Sequence, residues 1–246
     1  MEATEGHLLG GRVRYAQPRT GFQSGIEPVL LAAAIPARPG DRVLEAGCGA
    51  GASLLCLSAR IPGVNCVGIE RDAELVALST ANATANGWMG MTFLAADIEA
   101  LPPLGLFDHA CANPPYHHAA GTTSPSLARD AAKRAVPGLV AHWVTILARM
   151  VCPGGTLTII VSAARLPEAL GGFDRTDCAA ATLLPLWPKP GRAAKLILLQ
   201  GTKGARSQFQ VLAGLTLHAP DGKFTRETEA VLRDGGRLAL ERQSQK

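Results

Sequence analysis

The sequence predicts an α/β fold built on a doubly wound, mostly parallel sheet with helices on both faces. Short apolar segments typical of buried strands alternate with helical segments from residue 42 onward. Hydrophobic residues make up 47% of the 246 residues, which is enough to fill the core of such a fold. Polar or acidic residues directly follow several strand-like segments, and in open α/β sheets ligands bind at the carboxyl ends of the strands. We expect one domain over residues 1–246.

The first 20 residues precede this pattern and are predicted to form a basic N-terminal arm or hairpin. They contain Arg12, Arg14 and Arg19, and Gly10-Gly11 is typical of a turn. A helix is expected next, because Pro28 is favourable in a first helical turn and an apolar segment at residues 29–34 follows it.

The elements of the core are predicted from strand-like and helix-like segments in chain order. The first four strands are expected at residues 42–46, 64–69, 91–95 and 106–110. Two helices connect them, one at residues 52–60 and one running from its capping residue Asp72 to about residue 86. The later helices are expected at residues 137–150, 166–170 and 225–233, and the later strands at residues 156–161, 179–184, 195–200 and 208–217.

The segment Asn113-Pro114-Pro115-Tyr116 is the strongest candidate for catalysis. Two consecutive prolines end the fourth strand and hold Asn113 extended at its tip. Because proline has no N–H, the segment offers acceptors, namely the Asn113 side-chain oxygen and the Pro114 carbonyl oxygen. Two fixed acceptors suit an amino group, which has two hydrogens to donate, and Tyr116 adds a face on which a planar ring can stack. Taken alone, the segment is equally consistent with a simple Asn-Pro turn.

A glycine-rich loop follows the first core strand. Gly47, Gly49 and Gly51 permit a tight turn and a close approach of the backbone to a ligand. Their spacing differs from the dinucleotide-binding pattern G-x-G-x-x-G, and the carboxylate of Glu45 would repel a pyrophosphate. Glu45 would instead suit a cationic ligand such as the amino group of S-adenosylmethionine.

Acidic residues end the next two strands. Glu70 lies 19 residues beyond Gly51, where an acid can accept hydrogen bonds from ribose hydroxyls. Asp97 ends the third strand and can accept a hydrogen bond from an adenine amino group. Glycine loop, Glu70, Asp97 and Asn113 in this order are far more specific than any one of them.

The order of these motifs resembles the class I S-adenosylmethionine-dependent methyltransferases over about residues 40–160. The segment at residues 113–116 is similar to that of members that methylate planar nitrogen, either the exocyclic amines of adenine or guanine or glutamine amides. Residues 20–31, 195–203 and 224–233 are also similar to the bacterial family that methylates an adenine beside the anticodon of a valine tRNA.

The resemblance implies a seven-stranded Rossmann-like methyltransferase sheet, S-adenosylmethionine as cofactor and tRNA as substrate. It implies a cofactor site formed by Glu45, Gly47, Gly49, Gly51, Glu70, Asp97 and Asn113. Catalysis is assigned to Asn113, Pro114 and Tyr116. The chain departs from the family after Tyr116, where it has His117-His118. Adjacent side chains point apart in an extended chain and no third ligand is evident, so we expect no metal.

Basic residues predict a surface that binds nucleic acid. No acid occurs between Asp177 and Asp221, whereas Lys189, Arg192 and Lys195 lie there together with Lys203 and Arg206. The loop after Tyr116 adds Arg129, Lys133 and Arg134. We assign substrate binding to Arg129, Lys189, Arg192 and Lys195, with a merely solvated basic surface as the alternative. The net charge of +4 permits an anionic partner without requiring one.

Three other functions are consistent with parts of the sequence. A protein glutamine methyltransferase would use the same four-residue segment, but only about 40 residues with one predicted helix precede Val43, where such enzymes carry a helical domain. A DNA adenine methyltransferase would need a target-recognition insertion that is not evident. A non-catalytic nucleotide- or RNA-binding protein would not require the acceptor pair.

The sequence predicts a cytoplasmic protein that does not cross a membrane. None of the six cysteines forms a C-x-x-C pair, and most lie in apolar segments typical of reduced core residues. No signal peptide is apparent, and no apolar segment is long enough to span a bilayer. The oligomeric state is not indicated.

Overall fold

The computed structural model describes residues 2–20, 23–114, 138–206 and 208–240. Its helices are α1 Glu27–Ala34, α2 Ala52–Arg60, α3 Ala73–Ala85, α4 Leu139–Met150, α5 Leu166–Phe173 and α6 Arg226–Leu232. Its strands are β1 Ala3–Leu8, β2 Val13–Pro18, β3 Arg42–Ala46, β4 Asn65–Glu70, β5 Thr92–Ala95, β6 Phe107–Ala112, β7 Val151–Ser162, β8 Cys178–Trp187, β9 Leu196–Lys203, β10 Gln210–Val211 and β11 Leu215–Thr216.

The central sheet has the strand order β10-β8-β9-β7-β6-β3-β4-β5, and β11 also pairs with β8. Every pairing is parallel except those of β9, which runs antiparallel to both β7 and β8. The chain proceeds from β3 outward through β4 and β5, and then returns to β6 on the other side of β3. This reversal between β3 and β6 creates the crevice at which open α/β sheets bind ligands.

Helices cover both faces of this sheet, so the predicted fold class is confirmed. On one face Leu30 of α1 and Leu54 of α2 are fully buried in one apolar cluster. On the other face Leu147 of α4 and Phe173 of α5 are buried in a second cluster. The predicted cap of α3 is also confirmed, because Asp72 Oδ1 accepts from the backbone N–H of Glu74 at 2.9 Å. None of the helices in the described ranges has the length and apolar character that a bilayer span requires.

The last part of the sheet differs from the prediction. Seven long strands form it as expected, but β10 and β11 extend it to nine. The single strand predicted at residues 208–217 is wrong, because residues 212–214 separate the two short strands. Gly214 has a φ of 88°, and a Cβ there would lie 2.5 Å from the Pro185 carbonyl oxygen. The backbone at Gly214 therefore passes so close to β8 that the predicted strand is divided into β10 and β11.

The N-terminal residues form a β-hairpin. β1 and β2 pair antiparallel from Ala3 opposite Pro18 to Leu8 opposite Val13, and the turn between them contains Gly10 at a φ of 63°. β2 packs against α3, and the chain continues from Pro18 toward α1.

Candidate active site

The glycine loop lies at the carboxyl end of β3, the centre of the crevice. Gly47, Gly49 and Gly51 have φ angles of 64°, 54° and 88°, in the left-handed region that favours glycine. A Cβ at Gly47 would lie 2.8 Å from Cη2 of Trp143, so the loop is also closely covered by α4. Backbone conformation therefore favours glycine at all three positions, and packing adds to this at Gly47 and Gly51, where a Cβ would lie 2.8 Å from Trp143 and 3.2 Å from Phe93.

Glu70 holds the glycine loop from the end of β4. Its Oε2 accepts from the backbone N–H of Gly49 at 3.1 Å, and its Oε1 accepts from that of Asp72 at 3.1 Å. Each carboxylate oxygen has about two acceptor positions, so capacity remains for ligand hydroxyls. The side chain predicted to anchor a ribose thus also shapes the loop beside it.

Glu45 is a buried acid with one unpaired oxygen. The residue is 2% exposed and receives hydrogen bonds from the Ser53 hydroxyl and the Leu54 backbone N–H. Burial raises the pKa of Glu45 to about 8, the Ser53 hydrogen bond opposes this, and the nearby Glu70 carboxylate adds to it. Its Oε2 has no hydrogen-bond partner within the described structure. A cationic amino group placed there would pair this oxygen and favour the ionised carboxylate.

Asn113 stands beside the glycine loop. Ala112, the residue before it, is the partner of Ala46 in the ladder between β6 and β3, so Asn113 and Gly47 leave adjacent strands together. Asn113 Oδ1 is buried and has no hydrogen-bond partner in the ranges that the structure describes. Pro114 is buried next to it. Tyr116, with residues 115–137 as a whole, lies outside the described residues.

Asp97 lies on the rim of the same edge. β5 ends at Ala95, beside Glu70 at the end of β4. Asp97 is exposed, and its Oδ1 accepts from the Glu99 backbone N–H at 2.9 Å, capping the short 3-10 helix Ile98–Ala100. Asp97 has a second oxygen with which to bind a ligand.

The predicted basic residues lie farther along this edge. Lys189, Arg192 and Lys195 are all exposed in the connection from β8 to β9. β8 runs parallel to β6 and lies three strands from it, which places the connection about 14 Å from Asn113 at the usual strand spacing. Trp187 packs here, since its Nε1 donates to the Ala213 carbonyl at 3.1 Å. Arg129 lies outside the described residues.

Two residues near the loop were missed by the sequence analysis. Trp143 covers Gly47 from α4, and its position in an amphipathic helix gave no reason to separate it from ordinary core residues. Asn82 donates from its Nδ2 to the Ala50 carbonyl inside the loop at 3.0 Å. The burial of the Asn82 amide in a helix would have indicated its role, but that burial is apparent only once the fold is known. Among the described residues no cluster of three or more His, Cys, Asp or Glu could hold a metal.

The residues at the crevice fit S-adenosylmethionine in chemical type. Glu45 offers a buried, unpaired acceptor to an ammonium group, and Glu70 retains acceptors for hydroxyls. The three glycines leave the loop surface free of side chains. Asn113 adds a second unpaired acceptor where a group to be methylated would meet the cofactor.

Comparison with known proteins agrees with this geometry. A family model described as the methyltransferase small domain matches residues 26–164. The tRNA1(Val) (adenine(37)-N6)-methyltransferase of Dickeya chrysanthemi is 25% identical over 243 residues, covering 89% of each chain. The protein of the same name from Aeromonas hydrophila is 26% identical over 210 residues, covering 84% of this chain and 87% of its own. A solved structure described as a predicted O-methyltransferase, from Agrobacterium tumefaciens, has a TM-score of 0.71 at 20% identity, covering 87% of this chain and 98% of that one.

Proposed function

Since the chain belongs to the methyltransferase small domain family, whose model matches residues 26–164, we propose that it transfers a methyl group from S-adenosylmethionine to the exocyclic amine of an adenine in tRNA. The observation that carries this proposal is the buried, unpaired Oδ1 of Asn113 beside the glycine loop. An unpaired buried acceptor is costly to the fold, so a ligand that donates a hydrogen bond is its natural partner.

The cofactor is held by the residues at the ends of β3, β4 and β5. Glu45 would pair with its ammonium group, the glycine loop would contact it through backbone atoms, and Glu70 would accept hydrogen bonds from its ribose hydroxyls. Asp97, on the rim, would accept a hydrogen bond from the adenine amino group of the cofactor. When bound, S-adenosylmethionine supplies an electrophilic methyl group, so the protein has mainly to align the nucleophile with it.

Asn113 and Pro114 align the substrate amine. The Asn113 Oδ1 and the Pro114 carbonyl oxygen each accept a hydrogen bond from the amine. Holding both N–H groups turns the nitrogen lone pair out of conjugation with the ring and directs it toward the methyl group. Tyr116 stacks on the adenine ring. The amine nitrogen would gain the methyl group as the sulfonium S–C bond breaks, and S-adenosylhomocysteine would be released. The methylated amine would then lose one proton to water, so no dedicated base and no metal are required. An adenine in a folded RNA must leave its stack to reach this site.

Basic side chains on the same edge bind the RNA backbone. Lys189, Arg192 and Lys195 are exposed about three strands from Asn113, and Arg129 follows Tyr116 in the sequence. Phosphate contacts of this kind position the nucleic acid and leave base recognition to the pocket. The two relatives named for a valine tRNA cover most of the chain, and they support tRNA as the substrate.

We further propose that the chain functions as one domain in the cytoplasm, where its substrate is found. All six cysteines are free, and five of them are buried, as expected for a reducing compartment.

The experiment that tests the substrate class is methyl transfer to purified total tRNA, duplex DNA and a release-factor protein, each with radiolabelled S-adenosylmethionine. We expect label in tRNA alone. Label only in the protein would establish a glutamine methyltransferase, and label only in DNA a DNA methyltransferase. Binding of S-adenosylmethionine without transfer to any of the three would favour a non-catalytic role.

A further inference from the structure

Asn82 of α3 and Asn86, the residue that caps the end of α3, take the place of a third strand beside the N-terminal hairpin. Asn82 Oδ1 accepts from the Ala16 N–H at 2.8 Å, and its Nδ2 donates to the Ala16 carbonyl at 2.8 Å. Asn86 makes the same pair of bonds with Arg14, at 2.9 and 2.8 Å. Four residues of helix rise about 6 Å and two residues of strand about 7 Å, so the two spacings match closely enough for both pairs to form.

One of these asparagines also reaches the glycine loop. Asn82 Nδ2 donates to the carbonyl oxygen of Ala50 at 3.0 Å, in addition to its bond with Ala16. Ala50 lies between two glycines whose φ angles are 54° and 88°. Asn82 is only 4% exposed, so water does not compete for these bonds. A single amide therefore joins helix α3, the hairpin and the loop.

The remaining bonds of the loop show why this one matters. The Cys48 N–H donates to the Ile69 carbonyl at 3.0 Å, the Gly49 N–H donates to Glu70, and the Gly51 N–H donates to the Cys48 carbonyl at 2.9 Å. The first two bonds tie the first half of the loop to β4, and the third closes a turn within the loop. The Ala50 carbonyl and the Gly51 N–H belong to the same peptide group, and Asn82 ties this group to α3 from outside the loop. Because glycines on both sides leave the backbone many alternative conformations, a fixed carbonyl here restricts the loop strongly.

We propose that Asn82 is a positioning residue that holds the glycine loop in its cofactor-binding conformation and couples the loop to the docked N-terminal hairpin. The ligand of the loop is taken from the proposed function. Asn86, at the C-terminal cap of the same helix, binds the hairpin in the same way without a hydrogen bond to the loop, so it is a matched control. Since coupling between two sites is reciprocal, cofactor binding should also hold the hairpin more firmly in place.

The first test compares Asn82→Ala with Asn86→Ala in the full chain, using calorimetry with S-adenosylhomocysteine. We expect the dissociation constant to rise about tenfold in Asn82→Ala and by less than about twofold in Asn86→Ala, because only Asn82 gives the loop a buried hydrogen bond. In steady-state assays Asn82→Ala should raise the KM for S-adenosylmethionine and leave kcat within about twofold. Thermal unfolding should report a loss of stability in both variants.

Equal weakening of cofactor binding by the two variants would overturn the positioning role, because both would then act only through hairpin docking. Failure of the wild-type protein to bind S-adenosylhomocysteine would instead reject the proposed function.

A second measurement uses the wild-type chain and does not depend on the variants folding. Hydrogen exchange is followed with and without saturating S-adenosylhomocysteine. We expect the Ala16 amide, which donates to Asn82, to exchange about fivefold more slowly with the ligand, a coupling of modest size. The exchange rate of the Thr228 amide in α6, which donates to the side chain of the capping residue Thr225, should not change. An unchanged Ala16 amide would overturn the coupling.

Discussion

Two groups of buried polar residues, one at each edge of the central sheet, differ in their hydrogen bonding. At the carboxyl edge, Glu45 Oε2 and Asn113 Oδ1 are buried without a partner among the described residues. At the amino edge, His109 is 7% exposed and both ring nitrogens are paired, Nδ1 with Thr156 Oγ1 at 2.8 Å and Nε2 with Asp41 Oδ2 at 3.2 Å.

This difference separates a ligand site from structural hydrogen bonding in the same sheet. An unsatisfied buried polar group destabilises the fold by about 1–3 kcal/mol, and a ligand that pairs with it removes this cost. Glu45 and Asn113 are assigned to a ligand because both also lie beside the glycine loop. A buried polar group whose hydrogen bonds are made within the protein contributes to stability and does not indicate a ligand. The comparison predicts that changes at the carboxyl edge act on binding and catalysis, whereas changes at the amino edge act on stability.

The largest effect is expected from Asn113→Ala. The change removes an acceptor that orients the reacting amine, so turnover should fall by about 100-fold or more. Affinity for S-adenosylhomocysteine should change by less than about threefold, because Glu45, Glu70 and the glycine loop remain. Single-turnover methylation of tRNA measures the first quantity and calorimetry the second. Near-normal single-turnover rates would remove Asn113 from the mechanism.

A smaller effect is expected from changing Lys189, Arg192 and Lys195 together to Ala. Affinity for tRNA should fall at least about tenfold at low salt, and the log–log salt dependence should flatten by about one unit for each phosphate that the variant no longer binds. Binding of S-adenosylhomocysteine should not change, because these side chains lie three strands from Asn113.

The control for this triple variant has the same change in charge at the opposite edge. Arg38, Arg149 and Arg175 are exposed and lie before β3, β7 and β8, at the amino edge. Their joint replacement by Ala should leave the salt slope nearly unchanged. An equal fall in tRNA affinity in the two triple variants would show that only net charge attracts the RNA.

The next effect is a pH dependence that arises from Glu45. Burial raises its pKa to about 8 in the free protein, so the carboxyl is largely protonated near pH 7 and must lose a proton to pair with an ammonium group. Cofactor affinity should therefore rise between about pH 6 and 7.5, by up to tenfold per unit. Calorimetry in two buffers of different ionisation enthalpy should detect the released proton. Glu45→Gln should abolish both the release and the pH dependence, and weaken binding about fivefold at pH 7.5.

The stability of the free protein should depend on pH in the opposite direction to cofactor affinity, again because of Glu45. The folded state binds the proton more tightly than the unfolded state, so between the ordinary pKa of 4.5 and about 8 the free energy of unfolding decreases as pH rises. Glu45→Gln should remove this decrease in chemical denaturation experiments at several pH values. A Glu45→Gln variant with the same pH dependence as the wild type would show that another group is responsible.

The smallest effect on activity is expected from Thr156→Val at the amino edge. The change leaves Nδ1 of the buried His109 without its partner, so the free energy of unfolding should fall by about 1–3 kcal/mol. Turnover per folded molecule and cofactor affinity should remain at wild-type values. A large loss of turnover at a temperature where the variant is folded would contradict the assignment of the amino edge to stability alone.

The sequence was most informative where function depends on short segments. Asn113 follows a strand and precedes two prolines, and Glu45, Glu70 and the glycines lie at or near strand ends, so their location at the crevice could be predicted. The alternation of strands and helices was sufficient to predict the parallel sheet with helices on both faces.

The remaining features depend on contacts between distant segments. Trp143 and Gly47 are 96 residues apart in the chain, and no local pattern indicates that one covers the other. Asn82 is buried only because β2 and the glycine loop meet at α3. The predicted strand at residues 208–217 was wrong because the close crossing of Gly214 over β8 overrides local strand propensity.

The central claim is that the unpaired acceptor of Asn113 receives the exocyclic amine of an adenine. The most direct test is methylation of purified tRNA with S-adenosylmethionine carrying a deuterated methyl group, followed by nucleoside mass spectrometry. The wild-type protein should produce adenosine with the labelled methyl group on N6, and Asn113→Ala should produce almost none. Label on a ring nitrogen, on another base or on a ribose oxygen would contradict the account, because two hydrogen-bond acceptors at the strand tip would then have no amine to hold.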